Sequence, residues 1–200
     1  MVASLSQDDP LSLKEAKNRP DWPHWKKAMD EEIQQLETLG TYAKMELPSD
    51  RVPIACKWVY HLKQDHTRKI MHYKACLVAK GFSQIHGLNF SESFTPAMCL
   101  NMLRLLLVLA TMYRMVIHMV DIVSAYLNGD LDKIIYMKQP PGYEDGTHLV
   151  CKLIKSLYGL QQYGRIWNQK LNDTFQKLSF THLFADQCVY FRCINHGCTC

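Results

Sequence analysis

The residue with the clearest chemical potential is a lone acid. In "VDIVSAYLNGDL" (residues 120–131) the apolar run Met115–Val120 delivers Asp121, followed by Ile122, Val123, the small Ser124 and Ala125, and then Tyr126. An acid there either caps a following helix or offers a hard oxygen to a metal ion, and the local pattern leaves both open. A second group is cationic: Lys57, Lys63, Arg68, Lys69, Lys74 and Lys80 face one acid, Asp65, a local excess of five against +4 for all 200 residues. Such a stretch suits phosphate contact, or it is a solvated hairpin with lysines guarding its edge. A third group, Cys188, Cys193, His196, Cys198 and Cys200, gathers soft ligands near the last residue. Its spacing matches neither paired Cys knuckles nor a Cys pair followed by a His pair, so it is a poor frame for zinc.

The elements that must position these residues follow from periodicity. Residues 1–20, polar and punctuated by Pro10 and Pro20, read as a linker. Asp21 is placed to cap a helix with Pro23 in its first turn; Trp25, Met29, Ile33 and Leu36 recur at helical spacing, and Gly40 stops the run. "IACKWVYHLK" alternates Cys56, Trp58, Tyr60 and Leu62 against Lys57, Val59, His61 and Lys63, which is a strand. "QDHTRK" is a turn, and "IMHYKACLVAKG" returns antiparallel, so the cations sit on a two-stranded arm. Leu100–Tyr113 reads as a buried helix. Met115–Asp121, without clean alternation, reads as a central strand covered on both faces. Further strands are expected in "KIIYMKQPPGY", "HLVCKLIKSLYGL" and "CVYFRC", with a helix over Ile166–Leu178. Helices and strands mix without regular alternation, so the class is α+β.

No apolar run reaches the length of a transmembrane helix, and the first residues lack the basic start and apolar core of a signal peptide. With no secretory signal, the eight cysteines read as reduced thiols.

Several stretches then line up in order: "WKKAMDEEIQQL", "KWVY", "YKACLVAKGFSQ", "FTPA", "VDIVSAYLNGDLDKIIYMKQPPGY", "VCKLIKSLYGLQQYGRIW" and "FADQCVYF". Together, over residues 21–192, they resemble the reverse transcriptase domain of copia-type (Pseudoviridae-like) LTR retrotransposons. The resemblance implies a right-hand polymerase with a fingers hairpin and a palm of antiparallel strands backed by helices, here an incomplete one, with 1–20 as linker and 21–200 as the domain. It implies RNA-directed DNA polymerisation by two-metal nucleotidyl transfer. Two Mg2+ ions about 3.5–4 Å apart clamp the attacking and leaving oxygens in such chemistry. Asp121 matches the first catalytic aspartate, which ligates both ions, with the Ile122 backbone carbonyl beside it. Tyr126 falls where an aromatic lies under the incoming sugar and would collide with a 2′-OH; core packing is its ordinary alternative. Lys57, Lys74, Tyr126, Tyr158 and Gly159 are thus expected to bind nucleotide, and Lys80, Gln162 and Arg165 to bind nucleic acid. Implied partners are template–primer, dNTP and flanking integrase and RNase H segments of a polyprotein, with no membrane; the implied setting is a cytoplasmic virus-like particle or the nucleus.

The departures are specific. The family's "YKARLVAKG" has Cys76 in place of an arginine that grips triphosphate in related polymerases, and a thiol cannot replace a guanidinium fork. "SLYGLKQ" becomes "SLYGLQQ", losing a cation at Gln161, and the small residue and proline that follow become Tyr163 and Gly164. The other two catalytic acids belong to a Tyr-x-Asp-Asp hairpin that these 200 residues do not contain; their only Asp-Asp pair is Asp8-Asp9. One carboxylate cannot hold two dications and a nucleotide, so the isolated polypeptide is expected to be inactive. Without that hairpin, a strand edge and apolar surface beside Asp121 are expected to be exposed. The competing readings are a non-catalytic nucleic-acid-binding remnant and a small zinc protein built on the C-terminal cluster.

Overall fold

The computed structural model describes residues 9–67, 69–122, 125–194 and 197–199; the side chains of Tyr126, Asn128, Ile194 and 197–199 lie outside what it describes. Its class is α+β, with four α-helices and three small antiparallel sheets among the described residues.

The core is organised by helix α2 (Trp22–Thr38), which buries Trp25, Ala28, Met29, Glu32 and Leu36 along one stripe. Pro23 occupies its first turn, but Asp21 does not cap it through its side chain. Its carboxylate instead pairs with Arg19 at 2.9 Å, and that bond holds its pKa below the ordinary range. The stripe packs on the hairpin of β2 (Cys56–Gln64) and β3 (Ile70–Ala79), whose register runs from Cys56↔Ala79 to Gln64↔Ile70. Trp25 meets Tyr60 and Tyr73 edge-on at 5.2 and 4.8 Å. The Glu32 carboxylate accepts from the Leu77 amide at 3.2 Å, satisfying a buried group on the free edge of β3. At the hairpin tip, Asp65 Oδ1 accepts from the amides of Thr67 and Lys69 at 2.8 and 3.0 Å, a side chain closing its own turn.

A second sheet has the order β1 (Tyr42–Met45), β5 (Val150–Lys155), β4 (Asp130–Met137), all antiparallel. Ile54 ties it to the hairpin: its amide donates to Tyr136 O at 2.8 Å, and the Lys138 amide donates to Ile54 O at 2.9 Å. Helix α4 (Tyr163–Lys177) and a sheet of β6 (Thr181–Leu183), β7 (Asp186–Ile194) and β8 (Gly197–Thr199) follow.

Residues 9–20, read as part of a linker, form a brace on the hairpin. Ser12 caps the short helix α1 (Leu13–Lys17), and Ala16 is fully buried. The buried Asp9 carboxylate accepts from the Leu62 amide at 2.8 Å and pairs with His61 Nδ1 at 3.3 Å.

Two expectations are corrected. Helix α3 (Leu100–Met112) forms but buries only Ala110. Met115–Asp121 is not a strand: it is irregular, with Val116 and Val120 each 80% and Met119 99% exposed. The reason is the lack of a ladder. No strand among the described residues pairs with it, and an apolar run without a partner's N–H and C=O groups has nothing to hold it in a sheet. Apolar surface beside Asp121 is therefore exposed, but the strand edge expected there does not form. The reading of all cysteines as reduced thiols is also corrected: Cys193 is disulfide-bonded, in a hairpin whose register sets position 193 opposite 198. Among the described residues no group of three His, Cys, Asp or Glu could hold a metal ion; His196 and Cys200 lie outside them.

Candidate nucleotide and nucleic-acid interface

Strand alternation sorts the hairpin into two faces. Cys56, Trp58, Tyr60, Ala75, Leu77 and Ala79 enter the core. The register places Lys57, Val59, His61 and Lys63 opposite Val78, Cys76, Lys74 and His72 on the other face. Asp9 reaches His61 near the tip half, so the cationic character left toward the base comes from Lys57 and Lys80. Lys57 is exposed, as is Lys74, which lies four residues from Val78, about 13 Å along the strand. Cys76 sits half-buried between them. Burial, and then the charge of Glu32, push its thiol up to about 11, so it is neutral and adds no charge to this face.

The "SLYGL" loop crosses the hairpin's base. The Ala79 amide donates to Tyr158 O, and the Lys80 amide to Ala55 O, each at 2.8 Å. Leu157 and Leu160 anchor the loop in the core, leaving Tyr158 half-buried and Gly159 exposed. Gly159 has φ +86°, and a Cβ there would lie 2.3 Å from Ala79 O; a Cβ on the facing Gly81 would lie 2.0 Å from Gly159 O. Only glycine permits this back-to-back approach. Lys57 and Lys80 thus share one end of the hairpin with Tyr158 and Gly159, which lie 78 to 102 positions further along the sequence.

Two residues expected to contact nucleic acid have partners within the fold. Gln162 is fully buried, its amide donating to Asn89 O at 2.9 Å and its oxygen accepting from Gln84 at 3.1 Å, so it cannot touch nucleic acid directly. The Arg165 guanidinium is engaged by Asp132 and by Glu92 O at 3.3 Å. Asp130 and Asp173 line the same groove, and Lys170 pairs with Asp130 at 3.5 Å, so this face does not favour phosphate. Gln84, Asn89 and Asp9 carry structural roles that no local pattern marked; Gln84 stood in "GFSQ" as one letter of a longer match.

Asp121 and Ile122 are exposed beyond α3. Tyr126 belongs to a single 3-10 turn, Ala125–Asn128, anchored by the buried Leu127, and its side chain lies outside the described set. A carboxylate suits a hard cation. Among the described residues no acids join Asp121 in a three-ligand group, so Asp121 would be one ligand of a metal centre whose other ligands lie elsewhere.

The family model described as reverse transcriptase (RNA-dependent DNA polymerase) matches residues 39–198, and the chain belongs to that family. It is 42% identical over 191 residues to the retrovirus-related Pol polyprotein from transposon TNT 1-94 of Nicotiana tabacum, covering 94% of this chain and 14% of that protein. It is 34% identical over 169 residues to the corresponding polyprotein from transposon RE1 of Arabidopsis thaliana, covering 83% and 12%. The Ty1-ER2 Gag-Pol polyprotein of Saccharomyces cerevisiae is 31% identical over 157 residues, covering 72% and 8%. The chain therefore spans about a seventh or less of the length of these curated relatives. No solved structure matches. No helix among the described residues is long and apolar enough to cross a membrane.

Proposed function

We propose that the chain supplies the fingers and part of the palm of a copia-type RNA-directed DNA polymerase. In this reading β2–β3 is the fingers hairpin, β1–β5–β4 belongs to the palm, and residues 21–200 form the domain with residues 9–20 bracing it. The observation that carries the reading is the tie between the Ala79 amide and Tyr158 O, which sets the "SLYGL" loop beside Lys57 and Lys80 at the hairpin base. Nucleotide would meet Lys57, Tyr158 and Gly159 there, with Lys74 and Lys80 along the path of template–primer phosphates. Asp121 is proposed as one carboxylate of a two-Mg2+ centre, with Ile122 O beside it and Tyr126 under the sugar. The remaining ligands would come from outside the residues described, so the chain's own groups bind and orient while the metal centre supplies charge neutralisation. Template–primer and dNTP are the proposed partners. Integrase and RNase H segments of the same polyprotein, and a cytoplasmic particle, are proposed as its setting.

The test is primer–template binding by fluorescence anisotropy across a salt series. The wild-type chain is expected to bind with a linear fall of log K against log salt. Lys57→Ala, Lys74→Ala and Lys80→Ala should each weaken binding and make the slope shallower by about 0.9 for every phosphate no longer neutralised. Binding that ignores salt or these lysines would refute the reading.

A further inference from the structure

A chain of carboxamides links the loop to the hairpin from behind. The Gln161 amide donates to Gln84 Oε1 at 2.7 Å, Gln84 Nε2 donates to Gln162 Oε1 at 3.1 Å, and Gln162 Nε2 donates to Asn89 O at 2.9 Å. Each side chain uses its oxygen as acceptor and its nitrogen as donor. Turning either one over would set oxygen against oxygen or N–H against N–H, so the direction of the whole relay is fixed. Gln162 is fully buried and Asn89 nearly so, which removes competing water. Gln162 also stands at the N-cap of α4 yet makes no capping bond; its side chain is committed to the tertiary contact instead. Asn89 is itself held, its Oδ1 accepting from the Ile85 amide at 2.9 Å. The relay thus joins the turn after β3, the 85–90 loop and the start of α4.

We propose that Gln84 and Gln162 are positioning residues that set Tyr158 and Gly159 against Lys80 for nucleotide and primer–template. The inference rests on the functional reading above, since it takes that loop to face nucleic acid. Besides the buried Leu157 and Leu160 and a 3.3 Å bond from Gln161 Nε2 to Gly81 O, two ties act on opposite ends of the same short segment. The Ala79–Tyr158 backbone bond holds its front. The relay holds its back at Gln161 and Gln162. With the relay removed, the back of the loop would be held only by the Gln161–Gly81 bond and the leucine anchors, and its tip would have more freedom to shift. Lys80 would keep its place, because its amide is bound to Ala55 O, while Tyr158 and Gly159 would lose theirs.

The discriminating variant is Gln84→Met, which keeps length and packing at a half-buried site and deletes both hydrogen bonds. Two measurements on the full 200-residue chain decide the matter. In amide hydrogen exchange, Gln84→Met should raise exchange across 156–163 by about fivefold or more, the equivalent of removing about one hydrogen bond. The sheet segments Tyr42–Met45 and Val150–Lys155 should be unchanged. In anisotropy well below the melting temperature, the variant should bind primer–template about fivefold more weakly. Gln162→Ala should act in the same direction, and combining the two should add little, because they break one relay. A residue that only stabilised the fold would lower the melting temperature and leave the folded chain's affinity untouched. Unchanged exchange at 156–163 overturns the positioning role even if the wild-type chain binds no nucleic acid, in which case the functional reading fails separately. Loosened exchange with unchanged affinity overturns the inference while leaving the functional reading standing.

Discussion

Replacing Gly159 by alanine probes the contact on which the interface depends. At φ +86° an L-residue is strained by about 1 kcal/mol. The new Cβ would also lie 2.3 Å from Ala79 O and 2.6 Å from Val78 Cγ1, so the loop must withdraw. Withdrawal breaks the 2.8 Å bond from the Ala79 amide to Tyr158 O, and because Ala79 is buried its amide is left without a partner, a loss of about 2 kcal/mol. The two effects sum to about 3 kcal/mol, which in a domain of this size lowers Tm by about 6–12 °C. Gly146→Ala separates them: its φ is +75°, but nothing lies within 4 Å of the added Cβ, so only the strain of about 1 kcal/mol remains. The assay is thermal denaturation followed by circular dichroism on both variants, with primer–template anisotropy on the folded proteins. Gly159→Ala should melt well below Gly146→Ala and alone weaken binding. Gly81→Ala, facing the same contact at 2.0 Å, should resemble Gly159→Ala, and the double variant should not be additive. Equal losses in Gly159→Ala and Gly146→Ala would refute the reasoning, because the close approach would then contribute nothing.

Burial raises the Glu32 carboxyl above its ordinary 4.5, against the opposing pull of the Leu77 amide and Lys74. The unfolded chain therefore ionises first as pH rises, and stability falls between the unfolded and folded pKa values. Glu32→Gln keeps an oxygen for the Leu77 amide and carries no charge, so it should melt above wild type at pH 7 and converge with it below about pH 4; melts over that range check the sign. Cys76→Arg returns a bidentate phosphate ligand to the lysine face and should tighten primer–template binding, steepening the salt slope by about 0.9; an unchanged slope would mean that this face does not meet phosphate. Asp9→Ala removes the acceptor for the Leu62 amide and the partner of His61, and should cost about 1–2 kcal/mol in urea denaturation, with Asp9→Asn recovering part of it through the retained Leu62 bond.

What the sequence alone determined is local or collinear. The stripe of Trp25, Met29 and Leu36 needed only helical spacing to become the buried face of α2, and alternation from Cys56 onward became β2. The ordered motifs carried the family, and the family model matched over 39–198. Partner choice was not legible. Arg165 and Gln162 read as free polar groups of a nucleic-acid surface until folding brought Asp132 to one, 33 positions away, and Gln84 to the other, 78 positions away. Nor could the pattern assign Leu100–Met112 and Met115–Asp121 their burial. An apolar run records a tendency to leave water, but a strand also needs a ladder and a covering layer, and those belong to other segments. The tertiary structure alone decided that residues 9–20 brace the hairpin and that two glycines meet back to back at its base. Both are contacts between distant segments, and their energies depend on distances that no spacing along one strand or helix encodes.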